Sequence, residues 1–393
     1  MADRTSRRQF VRLVGVGGSA LLLGACAPGA SSTPPAASAG APAAPAGAAS
    51  PAAPAAAGDF QQLLAAARDE AARGTFQVWA LRPGKDETQR ALFDAFQQQY
   101  DLKGLHYEWL TIHPAEGGPR IIAEARAGRS GPANGYGSVF NIQQLDEAGL
   151  LEATDWVGLF GDALPGIKDA AVDRVEFPDL VGKAVVQSDV VRTFVFNTEQ
   201  IKYEQVPNSI EELTDPRWSR KFVMSAGGTP FELLASVWGE EPTVQMLKRL
   251  AANNPILKKQ GSPPEEAVAA GEAPIGLGNL NGTEELKAKG APVDWKPIGE
   301  YLPSLVVYYA VLKNAPQPNL ARLFVAWLVT DGAPITEKNE FQARITDPRS
   351  DIGKLTKQRA PNAKPISPTN AEALTAYSNI IRRAPDILAG TAG

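Results

Sequence analysis

Between residues 59 and 142, short apolar runs alternate with helical periods. From Asp59 to Arg73 the apolar positions Phe60, Leu63 and Leu64 share one helical face, and Gly74 stops the pattern. Thr75 to Leu81 then predicts a buried strand around Phe76, Val78 and Trp79, followed by an Arg82-Pro83-Gly84 turn. Asp86 to Tyr100 returns to the helical period with Leu92, Phe93, Phe96 and Tyr100. Gly104 to Leu110 predicts a second strand, Pro119 to Arg129 a third helix, and Tyr136 to Ile142 a third strand. Strands separated by helices in this way form a parallel sheet with helices on its faces, an α/β architecture.

Further on, Lys183 to Asn197 is rich in Val and Phe and is broken at Ser188-Asp189, which suits an extended crossing between two lobes. Ser209 and Glu212 have capping-box spacing, and Asp215-Pro216 ends the helix they predict. Phe222 to Ser225 predicts a short strand, Glu265 to Ala270 a helix and Ala273 to Gly278 another strand. Leu305 to Leu312 is an apolar run that predicts a return strand. Asn319 to Thr330 is strongly amphipathic, with Leu320, Leu323, Phe324, Trp327 and Leu328 on one face, and a last helix is predicted over Asn370 to Arg383.

In open parallel sheets, ligands sit beyond the carboxyl ends of the strands. In the first half this singles out Arg82 and Asn141 as candidate contacts. In the second half, Gly227-Gly228-Thr229-Pro230 leads into a helix, with Thr229 expected as N-cap, Pro230 as first helical residue and Glu232 as capping-box partner. Glycines leading into free helix amides also suit an anion, which makes Gly228 and Thr229 candidates, although Glu232 competes for the same positive end. Asn279, Asn281 and Thr283 come after the strand ending at Gly278 and offer neutral hydrogen-bonding groups.

Composition narrows the chemistry further. The chain carries 39 basic and 43 acidic residues for a net charge of −4, with no dense basic run past Arg12, which argues against a nucleic-acid partner. A single cysteine, Cys26, and two histidines, His106 and His113, leave little material for Cys/His metal binding or nucleophile–base catalysis. No phosphate-cradling loop or metal-ligand cluster appears, so neither an enzyme nor a cofactor is expected. The expected partner is a small-molecule or oxyanion ligand.

The amino terminus resembles an export address. Arg7-Arg8 followed by Phe10 resembles a twin-arginine signal, and Leu23-Gly24-Ala25-Cys26 resembles a lipobox whose Cys26 becomes the lipidated first residue. Residues 27 to 58 contain only Ala, Pro, Gly, Ser and Thr, with no large apolar side chain to offset the entropy of ordering. The expected organisation is a signal peptide over 1–25 and a lipid-anchored disordered linker over 26–58, holding the folded body outside the membrane.

Beyond the leader, the order of several phrases resembles the extracellular solute-binding proteins of ABC importers, in particular the branch of the ferric-ion-binding proteins. The phrases are Phe194-Val195-Phe196-Asn197-Thr198-Glu199, Val206-Pro207 through Asp215-Pro216-Arg217-Trp218, Ala270 to Leu277, and Lys313-Asn314-Ala315-Pro316. In the first half, Phe93-Asp94-Ala95-Phe96 and Gln144-Leu145-Asp146-Glu147-Ala148-Gly149-Leu150-Leu151 are similar too. Two departures stand out. Tyr136-Gly137-Ser138-Val139-Phe140 replaces the family's Asp-Val pair, and the paired iron-binding tyrosines are missing near Asn279. Tyr308-Tyr309 does not restore them, because neighbours on a strand face opposite ways.

The resemblance implies a two-lobed, type II periplasmic-binding-protein-like fold with hinge crossings between lobes. It places lobe 1 over 59–190 and 306–350, lobe 2 over 191–305, and leaves the lobe of 351–393 open. It implies a monomeric, extracytoplasmic, lipid-anchored binding protein that closes on a small solute and delivers it to ABC permease subunits. An iron(III) ligand, a secreted bilobal enzyme and a sensory binding protein remain the alternatives.

Overall fold

The computed structural model describes residues 57–259 and 263–390. Arg7, Arg8, Cys26 and nearly all of the expected linker lie outside the described residues. Ten strands are numbered in chain order: β1 Thr75–Trp79, β2 His106–Leu110, β3 Asn134–Gly137, β4 Ala184–Asn197, β5 Phe222–Ser225, β6 Ile256–Lys258, β7 Ile275–Asn279, β8 Val293–Lys296, β9 Tyr301–Val311 and β10 Lys364–Ile366.

The spine is the antiparallel pair of the two longest strands, β4 and β9. At one end, β3 runs antiparallel to β9, from Asn134 opposite Val311 to Gly137 opposite Tyr308. Strand β1 joins β3 through Asn134, whose amide side chain exchanges bonds with the Trp79 backbone at 3.1 and 3.0 Å, and β2 pairs parallel with β1. At the other end, β7 and β8 flank the second half of β4, and β5 and β6 extend the sheet in parallel from β7. Strand β10 adds to the start of β9. The expected break at Ser188-Asp189 is a register shift between Val186 and Ser188 inside one continuous strand.

Each end of the spine has its own core. The first gathers Phe76, Phe93, Phe96, Phe324 and Trp327, with ring pairs such as Phe76–Phe324 edge-on at 5.5 Å. The second gathers Phe194, Phe222, Phe231, Leu234, Ile275 and Ile380. The helix Pro318–Leu328 buries more than its expected face: Ala321, Val325 and Ala326 are buried as well, because the helix Ala57–Ala71 covers its other side. Between Leu320 and Leu328 only Arg322 reaches outward, and it pairs with Glu152.

Three expected elements are corrected. The third helix starts earlier, at Pro114, where His113 Nδ1 accepts from the Ala115 amide at 3.2 Å and Pro119 lies inside the helix. The third strand ends at Gly137, because Ser138 and Asn141 form a capping box that starts the helix Val139–Glu147. Ser209 Oγ does accept from the Glu212 amide at 3.4 Å, but it introduces only a short 3₁₀ turn, Glu211–Thr214. The last helix, Ala371–Leu388, packs on the helices Phe231–Trp238 and Glu240–Ala252, with Asn379 and Arg383 each donating to Glu240 at 2.6 Å. No helix among the described residues is long and apolar enough to cross a membrane.

Candidate functional site

A cavity of about 190 Å³ opens beside the midpoint of β4, lined on one side by Arg82, Glu340 and Gln342 and on the other by Glu265, Asn279 and Asn281. Each wall starts at a strand end and is held by hydrogen bonds to residues distant in sequence. Strand β1 ends at Trp79, and the loop after it carries Arg82 to the mouth, where the side chain is exposed. The loop is tied down twice. Tyr309 Oη donates to the Arg82 carbonyl at 2.6 Å, and the Glu340 carboxylate accepts from the Gly84 and Lys85 amides, each at 2.9 Å. Lys85 Nζ donates to the Asn339 carbonyl at 2.8 Å and to Glu285 at 2.9 Å, so this loop is also joined to the helix Leu280–Ala288 on the facing wall.

The facing wall is built at the end of β7. Asn279 lies opposite Arg192 in the β4–β7 register, and its Oδ1 accepts from the Arg192 guanidinium. Asn279 Nδ2 donates to Glu265 Oε1 at 3.0 Å. One residue into the helix, Asn281 Nδ2 donates to the Phe341 carbonyl at 2.6 Å. Thr283 is fully buried, and its hydroxyl donates to the Asn279 carbonyl at 2.7 Å. Arg192 therefore stands between two buried carboxylates, Glu265 and Glu232, and lowers the pKa of both. Burial nonetheless dominates and pushes each carboxyl above its ordinary value.

The structure brings Arg82, Asn279 and Asn281 to one cavity and leaves the other candidates outside it. Thr283 holds the helix start from within. Asn141 Oδ1 accepts from the Ser138 amide at 3.1 Å and from the Ser138 hydroxyl at 2.9 Å, so it caps its own helix. Ser138 faces a separate crevice of about 10 Å³ beside Tyr377, too small for more than a single water.

The Gly228-Thr229 expectation is corrected. The helix begins at Phe231 after a cis Thr229–Pro230 bond, so Thr229 is not the N-cap and Pro230 is not the first helical residue. A Cβ on Gly228 would lie 2.3 Å from the Ala384 Cβ, so the C-terminal helix occupies the space that an anion would need. The Thr229 side chain lies close enough to Glu232 to lower the pKa of its carboxyl.

Sequence reasoning missed Arg192, Glu265, Glu340 and Gln342. Arg192 carries a signal of its own, a charge inside the apolar run Val190-Val191-Arg192-Thr193-Phe194. The others depend on which loops meet, which spacing does not record. Tyr308 and Tyr309 belong to different cores, and neither lines the cavity.

Comparison with known proteins agrees with this architecture. Residues 212–333 match the family described as bacterial extracellular solute-binding protein. An uncharacterised Haemophilus influenzae protein is 27% identical over 283 residues, covering 68% of this chain and 76% of that protein. Iron-bound HitA from Pseudomonas aeruginosa superposes with a TM-score of 0.59 at 21% identity, covering 78% of this chain and 99% of HitA. The periplasmic binding protein AfuA from Actinobacillus pleuropneumoniae, solved with fructose-6-phosphate, gives 0.59 at 21% identity, covering 81% and 99%. The Trichodesmium protein IdiA (FutA), solved with iron and citrate, gives 0.59 at 18% identity over the same shares. At these identities the likeness is one of fold. Residues 212–333 thus resemble the bacterial extracellular solute-binding proteins, and the fold as a whole is that of the two-lobed periplasmic binding proteins.

Proposed function

We propose that this chain is the extracytoplasmic substrate-binding lipoprotein of an ABC importer, anchored through Cys26, which captures a small solute and delivers it to the permease subunits. The observation that carries this reading is the cavity at the β4 midpoint, walled by the loop after β1 on one side and by the turn after β7 on the other. In this reading the lobes are 59–190 with 306–350 and 191–305, and the helix Ala371–Leu388 joins the second. A solute touching both walls favours the closed arrangement, and hinge motion about β4 and β9 opens it. The Lys85–Glu285 bond of 2.9 Å already links the two walls.

The named neighbours hold different ligands, iron in two and a sugar phosphate in the third, so the fold alone does not choose. The donor set favours an organic solute over iron(III). Carboxamides such as Asn279 and Asn281 are poor ligands for a hard trivalent cation, and no phenolate lines the cavity.

Small-angle X-ray scattering of the protein with and without the small-molecule fraction of a bacterial cell extract tests the reading. A saturable contraction is expected. Unchanged scattering over a wide range of extract concentrations would refute solute capture by closure.

A further inference from the structure

Two side chains on one face of the helix Leu280–Ala288 reach across to the opposite wall of the cavity. Asn281 and Glu285 are one turn apart on that face. Asn281 Nδ2 donates to the Phe341 carbonyl at 2.6 Å, and Glu285 Oε1 accepts from Lys85 Nζ at 2.9 Å. The two links differ in their place relative to the spine. Just after Phe341, the Ala343 carbonyl accepts from the Asp189 amide and the Ile345 amide donates to the Asp189 carboxylate, each at 3.0 Å. This segment is therefore pinned to the midpoint of β4, and Val191, Leu280 and Ala343 pack together beside it. Glu285 lies a turn farther along its helix from that packed end, so its link to Lys85 is the outer one.

Both partners of the outer link are held in place before they meet. The Lys85 amide donates to the Glu340 carboxylate at 2.9 Å and its Nζ to the Asn339 carbonyl at 2.8 Å, so both ends of the residue are fixed to the helix Ala333–Glu340. A second N–H of the ammonium then serves Glu285. Glu285 is oriented from its own helix by Lys289, also at 2.9 Å. Burial raises the Glu285 carboxyl, but hydrogen bonds from Lys289 and Lys85 outweigh it and hold the group below its ordinary value, so it is ionised at neutral pH. Such anchoring reduces the side-chain entropy that an exposed ion pair ordinarily loses. The side chains of Lys85 and Glu285 are 37% and 26% exposed, so dissolved salt reaches the pair.

We propose that Lys85 and Glu285 form an ionic latch between the lobes, a contact of the protein's own groups that favours the closed arrangement and breaks whenever the cavity opens. The proposal rests on the binding-protein reading above and adds to it a control on closure. Swinging the walls apart about the midpoint of β4 moves Glu285 away from Lys85 farther than it moves Asn281 from Phe341, so the outer link is the one that opening breaks. Lys85 does not line the cavity, so its effect is on closure and not through contact with a solute. An exposed ion pair of this kind shifts a two-state equilibrium by about two- to fivefold at low salt.

Double electron–electron resonance on the full chain measures closure directly. Cys26→Ser removes the single native thiol, and nitroxides on Gln98→Cys and Lys248→Cys, exposed positions in the helices Asp86–Tyr100 and Glu240–Ala252, report the separation of the lobes. Lys85→Met keeps the amide that Glu340 holds, and Glu285→Gln keeps the side-chain length while losing the charge. Each is expected to raise the ratio of long to short distances by about two- to fivefold. The double variant should do no more than either alone, because both changes remove the same bond. Sodium chloride at about 1 M, where screening sets in beyond about 3 Å, should have the same effect on the parent and little on the variants. Single variants with the parent's distances, or effects that add in the double variant, would overturn the latch. If the small-molecule fraction of a cell extract still shortens the distance in such variants, the binding-protein reading stands without it. One distance under every condition would sink both.

Discussion

Replacing Arg344 with methionine probes the joint at the irregular point of β4, the spine's longest strand. Arg344 is 2% exposed where the segment 343–345 crosses β4. Its guanidinium donates to Asp169 at 2.7 Å, to Asp347 at 3.0 Å, and to the carbonyls of Val186 and Val329 at 3.2 and 2.6 Å. The Val186 carbonyl lies at the register shift of β4, so this one side chain holds the irregular point of the longest strand. Methionine fills similar space and donates nothing. Asp347 would keep Arg349, at 2.8 Å, but Asp169 would lose its buried partner and both carbonyls their side-chain donor. Removing one partner from a buried ion pair costs about 3–5 kcal/mol, and a buried acceptor left bare costs about 1–3 kcal/mol. Because Asp169 is partly solvated, the expected loss is about 3–5 kcal/mol in total and not the sum of these values. Urea unfolding followed by fluorescence and circular dichroism measures it. Arg344→Lys should fall between the two, since an ammonium carries three donors for four acceptors. A loss below about 1 kcal/mol, the level of an exposed ion pair, would refute the view that this contact holds the joint.

Gly228→Ala introduces a Cβ at a backbone φ of +83° and 2.3 Å from the Ala384 Cβ, so it should lower stability by about 1–3 kcal/mol from overpacking alone; an unchanged urea midpoint would show that the C-terminal helix yields freely. Glu232 gives a pH prediction. Burial raises its carboxyl against the lowering effect of Arg192 and Thr229, so its contribution is fully present below the ordinary carboxylate range and is lost as pH rises through the folded value. Glu232→Gln should therefore be more stable than the parent near neutrality, with the advantage shrinking toward about pH 4, and an advantage that grows on acidification would contradict the shift.

Much of the fold was legible because its signals are local. The period of Asp86–Tyr100 fixes that helix to the residue, since Leu92, Phe93, Phe96 and Tyr100 all face the core and no Pro or Gly interrupts it. The crossing strand was visible as an apolar run with a polar break, and the break is the irregularity that Arg344 and Asp189 occupy. Where expectation failed, a short-range cap competed with an apolar run. Tyr136 to Ile142 has strand-like composition, but Asn141 three residues after Ser138 satisfies the helix start, and the chain turns there. At Gly228-Thr229 the glycines suggested free amides, yet a helix more than 140 residues downstream closes over them.

The site divides along the same line. Arg82, Asn279 and Asn281 lie at or just past strand ends, so a topological rule singles them out without knowledge of any contact, and all three line one cavity. Glu265 lines the cavity from a helix start, Glu340 from the end of Ala333–Glu340 and Gln342 from the turn after it, and only tertiary packing makes them neighbours. The side chains read from the sequence are two amides and an arginine, which suit an oxyanion as well as an organic solute. The buried carboxylate and the second oriented amide, invisible to spacing, are held by Asn279 and by Glu340. A sequence rule therefore points to this cavity, while the rest of its lining depends on how remote segments satisfy one another's hydrogen bonds.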